Sequence, residues 1–197
     1  LLRMECFPEA LRAAHELSQK TRILVAHAES LYRSGAYVEA ARKFAEDTSV
    51  PFEHVALRFL NGGHKAALLE YLKRKLAACS PDDRVTRALL SVWAVEASLA
   101  LLNDIRSGLQ GAKDRSELQA ERAKLLDLLK ESKNLDVHEP IYYLLQSHGW
   151  LEELAFFAEA RKDYNTVILH HVSRRDCMQA ITKLAQFETE GADKDLV

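Results

Sequence analysis

One short phrase recurs along the chain and limits the folds that it can adopt. A turn residue is followed by an aromatic or small residue, and then by alanine and leucine at helical spacing. The clearest copy is residues 35–41, Gly-Ala-Tyr-Val-Glu-Ala-Ala. Looser copies begin at Gly63, Gly149, Asp163 and Asp176. Each copy predicts the same event, a turn that leads directly into a new helix.

The copies are separated by distances that correspond to whole helices. Gly35 and Gly63 are 28 residues apart, and Gly149, Asp163 and Asp176 follow one another at 14 and 13 residues. About 14 residues make one short helix with its turn, so about 28 make a helical pair. Such a pair cannot bury its apolar face alone and must stack on its neighbours. We therefore predict an all-α fold, an α-solenoid of stacked antiparallel helical hairpins.

The amino-acid composition is consistent with a helical protein and argues against several other classes of protein. The 197 residues include only 7 glycines and 4 prolines, too few for an all-β protein rich in turns. The formal net charge is −2, so no global field attracts nucleic acid or an anionic membrane. No uninterrupted apolar run approaches the roughly 18 residues that span a bilayer, and we expect no transmembrane segment. Because the chain begins with Leu rather than Met, we interpret it as a fragment of a longer protein.

We predict a single α-solenoid fragment over residues 1–197 with two interruptions. Gly108 and Gly111 indicate a loop at 107–115, and a polar stretch that ends in proline indicates a break at 134–140. Residues 80–83, Ser-Pro-Asp-Asp, predict the start of the longest helix, with Ser80 as its cap and with Val85 and Leu89 in its buried stripe. A capping box that opens at Ser116 predicts the start of the following helix.

Eight residues are expected to hold structural positions of the repeat. The glycines supply the left-handed backbone that ends many helices, and the alanines let two helices approach closely. Tyr37 is expected to pack across its turn. The tryptophans lie on apolar stripes, and core packing is favoured over a binding hot spot. The eight positions are Gly35, Tyr37, Ala40, Ala41, Trp93, Gly149, Trp150 and Tyr164. No pattern identifies the residues that bind a partner.

No constellation of residues predicts catalysis. The loop at 61–64, Asn-Gly-Gly-His, lacks the lysine and the hydroxyl residue of a phosphate loop. His170 and His171 are adjacent on a predicted helix, so they point about 100° apart and make a poor metal pair. The cysteines lie far apart and favour unpaired thiols in a reducing cytosol: Cys6, Cys79 and Cys177. We expect no catalytic residue, no metal and no cofactor, and therefore a protein that is not an enzyme.

A resemblance to a known family adds to this interpretation. Residues 52–60, FEHVALRFL, and residues 67–76, ALLEYLKRKL, resemble the solenoid of the class C vacuolar protein sorting family. That family carries a similar FEEVALKFL phrase and then a leucine-rich helix that ends in Arg-Lys-Leu. Cys177 and Met178 depart from it, because its repeats often carry an aromatic and an acidic residue there. Further matches keep the family's order between Tyr32 and Leu184, at residues 37–41, 82–84, 89–93, 146–149, 156–158 and 162–164.

The resemblance implies a fold like the clathrin heavy-chain repeat and a role as a scaffold. Members of this family form the tethering complexes HOPS and CORVET, which bridge endosomal, lysosomal or vacuolar membranes and promote fusion. The implied partners are other class C subunits and, indirectly, small GTPases and SNAREs, with the protein peripheral on the cytoplasmic side. The family's β-propeller and zinc RING are not in this sequence. The alternative is another helical scaffold, such as a coat protein or a tetratricopeptide-like peptide binder.

Overall fold

The computed structural model describes residues 6–46, 49–108 and 112–189, and these residues form eleven α-helices and no strand. The all-α prediction is confirmed. The helices fall into two compact units, Leu1–Asp104 and Ile105–Val197. The prediction of a single solenoid piece over residues 1–197 stays a prediction.

In the first unit, each helix packs on the next helix or on the next but one. α1 packs on α2, α2 on α3, and both α3 and α4 pack on α5. The ring of Phe52 on α4 lies 5.6 Å from that of Trp93 on α6. This alternation lets neighbouring helical pairs share one apolar core. The helices are α1 (Phe7–Ala13), α2 (Leu17–Arg33), α3 (Tyr37–Glu46), α4 (Phe52–Asn61), α5 (Lys65–Ala78) and α6 (Arg84–Ser107), with α6 assigned to this unit as far as Asp104.

The core of the first unit combines small and large side chains. Ala28 on α2 and Ala40 and Ala41 on α3 are fully buried, and small side chains allow these two packed helices a close approach. Phe59 and Tyr71 fill the space between α4 and α5 and are also fully buried. Burying one such large side chain contributes about 1.5–3 kcal/mol, so this seam supplies much of the stability of the unit.

The second unit repeats the same arrangement. α7 and α8 both pack on α9, α9 packs on α10, and α10 on α11. Ala158, Val167 and Phe187 form a buried cluster, against which Tyr164 packs. The ring of Tyr164 lies 4.0 Å from that of Phe187 and so joins α10 to α11. The helices are α7 (Ala112–Ser132), α8 (His138–Ser147), α9 (Leu151–Arg161), α10 (Tyr164–Ser173) and α11 (Cys177–Thr189).

Several helix boundaries differ from the predicted ones. α6 extends to Ser107 and α7 begins at Ala112, so most of the loop predicted at 107–115 is helical; residues 109–111 lie outside the described residues. The prediction that a capping box at Ser116 starts this helix is wrong, because Ser116 is an exposed residue inside α7. Asp114 stands in the true first turn, where a negative charge is favourable. The break predicted at 134–140 is shorter, since α8 begins at His138.

The long helix α6 also starts and packs differently from the prediction. Asp83, rather than Ser80, caps it: the carboxylate accepts a hydrogen bond from the Thr86 amide at 3.0 Å. Val85 and Leu89 are 81% and 53% exposed, so the first turns do not join the buried stripe. By length and composition α6 could cross a membrane, but 44% of its most apolar stretch is buried. Core helices pass the same test, so α6 alone identifies no membrane span.

Candidate functional site

Five turns of the chain share one geometry. In each, a residue with positive φ ends a helix, and the residue after it donates a backbone hydrogen bond to the carbonyl five residues earlier. The positive-φ residue itself donates to the carbonyl three residues earlier. This pair of bonds is the Schellman motif, which satisfies carbonyls that a helix end leaves open. The positive-φ residues are Gly35 (84°), Gly63 (71°), Gly149 (74°), Lys162 (62°) and Arg175 (60°).

The two turns without glycine correct the predicted register. Asp163 and Asp176 were expected in the turn position, but Lys162 and Arg175 hold the left-handed conformation instead. The aspartates follow as N-caps. The Asp163 carboxylate accepts a hydrogen bond from the amide of Thr166, and that of Asp176 accepts one from the amide of Gln179, each at 3.2 Å. A capping aspartate contributes about 0.5–2 kcal/mol to helix stability, which offsets the cost of the left-handed backbone at the lysine or arginine before it.

Side chains next to these turns join one helical pair to the following pair. The ring of Tyr37 stacks on that of His64, with ring centroids 3.4 Å apart. Arg58 on α4 binds the carboxylate of Glu29 on α2 and lies over the ring of Tyr32 at 3.9 Å. Tyr37–His64 and Glu29–Arg58 span 27 and 29 residues, close to the 28-residue spacing of the glycines. The 28-residue spacing of the glycines therefore matches the number of residues that separates contacting side chains on neighbouring helical pairs.

The other predicted repeat positions lie in different surroundings. Trp150 is 7% exposed, and the Arg106 guanidinium lies 4.9 Å from its ring. Trp93 is only half-buried. Gly149 has no atom within 4 Å of the position that a Cβ would occupy, so its φ alone restricts this site. Core packing therefore explains the surroundings of Trp150 better than those of Trp93.

A buried carboxylate in the second unit was not predicted. Glu153 is 2% exposed and pairs with Arg122, which also binds Glu152 at 2.7 Å. Arg122 lies on α7 and the two glutamates on α9, so the arginine clamps these packed helices together. Glu152 and Glu153 are adjacent acids in a first helical turn, and nothing local distinguishes the exposed one from the buried one. The sequence carried no signal for this clamp.

The described residues offer little that could support catalysis. Within the ranges that the structure describes, no group of three or more His, Cys, Asp or Glu side chains could hold a metal ion. The rings of His170 and His171 are 5.4 Å apart and inclined at 76°. Tyr142 donates a hydrogen bond to Asp163 at 2.9 Å, and burial, together with this contact, raises the pKa of Tyr142 above its usual value. Its hydroxyl therefore remains a donor that holds α8 against the turn before α10.

An apolar groove in the first unit is the clearest candidate for a binding surface. It lies between α4 and α6 with α5 as its floor and has a volume of about 220 Å³. Leu57 and Leu60 of α4 line it and are 46% and 57% exposed. On the α6 side it is lined by Trp93, Glu96 and Ala97. Large apolar side chains left open side by side in this way are typical of interaction sites.

Comparison with known proteins identifies the kind of chain to which these features belong. A family model described as VPS18, alpha-solenoid domain, first half, matches residues 3–163. Vacuolar sorting protein 18 of Arabidopsis thaliana is 28% identical over 190 residues, which cover 93% of this chain and 19% of that protein. The vacuolar protein sorting-associated protein 18 homolog of Danio rerio is 30% identical over 168 residues, which cover 83% of this chain and 17% of that protein. Vacuolar membrane protein pep3 of Schizosaccharomyces pombe is 30% identical over 185 residues, which cover 90% of this chain and 20% of that protein. The chain thus spans about a fifth of the length of these relatives.

Proposed function

Because the chain belongs to the VPS18 family, in which it matches the first half of the α-solenoid domain, we propose that it is a scaffold segment of a membrane-tethering complex. The complex is of the HOPS or CORVET type and acts in vesicle trafficking and fusion at endosomes, lysosomes or vacuoles. The segment contacts other class C subunits, while small GTPases and SNAREs are engaged by the assembly as a whole. Its place is cytoplasmic and peripheral on the membrane.

The single observation that carries this proposal is the ordered match of the family model across residues 3–163. The structure supports a scaffold in physical terms. Five helix ends are fixed by the same turn, and ion pairs such as Arg58–Glu29 and Arg122–Glu153 join α2 to α4 and α7 to α9. Within each unit, helices joined in this way can present their surfaces to partners at fixed positions. We include in the proposal that it does so without catalysing a reaction.

The decisive experiment replaces this segment inside the full-length parent protein. One chimera carries, in place of residues 3–163, the matching stretch of the fission yeast relative, which is 30% identical. A second carries a tetratricopeptide array of the same length. Sister class C subunits are then measured by co-purification, and vacuole fusion is measured in cells that lack the native protein.

A scaffold with family-specific contacts should tolerate the first chimera and fail with the second. If both chimeras assemble and support fusion, the segment is only a spacer and the proposed contacts are wrong. If neither native parent nor chimera recovers class C subunits, and coat components or cargo peptides are recovered instead, the alternative scaffold class is correct. Cross-linking mass spectrometry on the native assembly would locate the contacts directly.

A further inference from the structure

We propose that the groove between α4 and α6 binds an amphipathic helix of a partner protein, one with a leucine-type face flanked by lysine or arginine. The inference concerns a surface of the first unit alone and would hold whether or not the parent is a tether. It starts from two exposed leucines, Leu57 and Leu60, that stand three residues apart on one face of α4.

The lining explains the apolar part of the ligand. Leu68 and Leu72 of α5 lie beneath the groove, and Trp93 and Ala97, one turn apart on α6, form its second wall. A cavity of about 150 Å³ can hold a benzene ring, so a groove of about 220 Å³ accepts roughly one or two leucine-sized side chains. That is too little for most drug-sized ligands, which occupy about 300–1,000 Å³, and suits the anchor residues of a peptide.

The shape of the lining favours a helix over an extended peptide. An extended segment gains most of its affinity from backbone hydrogen bonds to a free sheet edge. The groove is built from the sides of three helices, whose backbone groups bond within each helix. An incoming helix satisfies its own backbone and presents apolar side chains at spacings of three and four. These spacings match those of the walls, Leu57 to Leu60 and Trp93 to Ala97.

The charges around the groove favour a basic partner. Glu96 lines it and is exposed, and its carboxylate has no hydrogen bond or ion pair within the part of the chain that the structure describes. Glu53, one turn before Leu57, is exposed on the same face of α4. Lys65 is the cation in the lining, and its Nζ is 2.6 Å from Asp104, which neutralises it. The groove therefore presents uncompensated negative charge at its edge and apolar surface at its centre.

The test uses two synthetic helical peptides with the chain of 197 residues. Both carry leucine at positions 1, 4, 8 and 11 of a helix; one has lysines beside the leucine face and the other has glutamates at the same positions. Binding is measured by fluorescence anisotropy at low salt. The lysine peptide should bind, and Leu60→Asp should weaken it about tenfold or more, because a buried leucine contact is lost. Glu96→Lys should weaken it about threefold to tenfold and should favour the glutamate peptide.

Matched variants elsewhere keep the result specific. Leu169→Asp changes a leucine that is 66% exposed on α10, and Glu131→Lys reverses an exposed acid on α7; neither should alter binding. Leu57→Asp repeats the leucine test at a second position, should Leu60→Asp prove poorly folded by circular dichroism. A photoreactive residue in the lysine peptide should cross-link to the groove rather than to the second unit.

Several results would overturn the inference. They are no binding by the lysine peptide at millimolar concentration, equal binding of the two peptides, and binding that survives both groove leucine variants. A chain that dimerises in sedimentation experiments, and becomes monomeric with Leu60→Asp, would show that a second copy covers the groove instead.

Discussion

The left-handed turn residues make a reciprocal prediction about stability. Gly149 and Lys162 occupy the same position in two Schellman turns, with φ of 74° and 62°. Replacing the glycine by alanine and the lysine by glycine should therefore change the free energy of unfolding in opposite directions. Lys162 is exposed, and a Cβ at Gly149 would meet no atom within 4 Å, so neither change disturbs packing.

The magnitude follows from two opposing effects. A non-glycine residue in the left-handed region costs about 1–2 kcal/mol, whereas glycine lowers stability by about 0.4–1 kcal/mol through its freedom in the unfolded chain. Gly149→Ala should therefore lower the free energy of unfolding by about 0.5–1 kcal/mol, and Lys162→Gly should raise it by a similar amount. Gly149→Val should cost more, about 1–4 kcal/mol, because its β-branched side chain is least tolerated there.

Urea denaturation followed by circular dichroism at 222 nm measures both changes in one chain. Lys133→Gly is the matched control, since Lys133 is an exposed lysine just after a helix and is not among the residues with positive φ. The Lys133→Gly variant should have a lower free energy of unfolding than the wild type, because glycine adds freedom to the unfolded chain and relieves no strain at this position. If Lys162→Gly also lost stability by as much as this control, backbone conformation would not govern the turns, and the reasoning would be refuted.

Three further changes test other contacts. Tyr37→Ala should lower the free energy of unfolding by about 1–3 kcal/mol, because it removes the ring stacked on the next hairpin; an unchanged melting temperature would contradict the predicted packing. Asp163→Ala should lower the free energy of unfolding by about 2 kcal/mol, and Asp176→Ala should lower it by about 1 kcal/mol, as measured by urea denaturation. The difference arises because Asp163 also accepts a hydrogen bond from a half-buried tyrosine, whereas Asp176 acts only as a helix cap within the described residues. The hydrogen bonds from Arg58 lower the pKa of Glu29, so their stabilisation is present above the ordinary value of 4.5 and is lost as the pH falls through the lowered pKa. Between about pH 6 and about pH 3, Glu29→Gln should therefore lose less stability than the wild type, and equal losses would contradict this assignment.

The sequence was sufficient for features that depend on local chemistry. The 28-residue glycine spacing predicted helical pairs, and the glycines have the left-handed backbone that a helix end requires. The ring of Tyr37 lies 5.2 Å from that of Tyr32 across its turn, and it also stacks on His64 of the next hairpin, a contact that was not predicted. Such features can be derived locally, because the conformation of a turn depends on a few neighbouring residues.

Features that depend on which helix covers which face could not be derived. Val85 and Leu89 were predicted to lie in a buried apolar stripe yet remain exposed, because periodicity gives the apolar side of a helix and not the partner that buries it. The shifted register at Lys162 had a different cause. Long polar residues are uncommon in left-handed turns, and the aspartate cap one residue later was the stronger local signal.

The short range of the contacts between helices has a consequence for synthesis on the ribosome. The ion pairs Glu29–Arg58, Arg42–Glu70, Lys65–Asp104, Arg122–Glu153 and Glu159–Lys183 join residues only 24–39 positions apart in the chain. Translation adds about 5–20 residues per second, so each hairpin meets its neighbour within seconds of leaving the exit tunnel. A nascent polypeptide of this kind can become ordered from its amino terminus onward, and its apolar seams are exposed to chaperones only briefly.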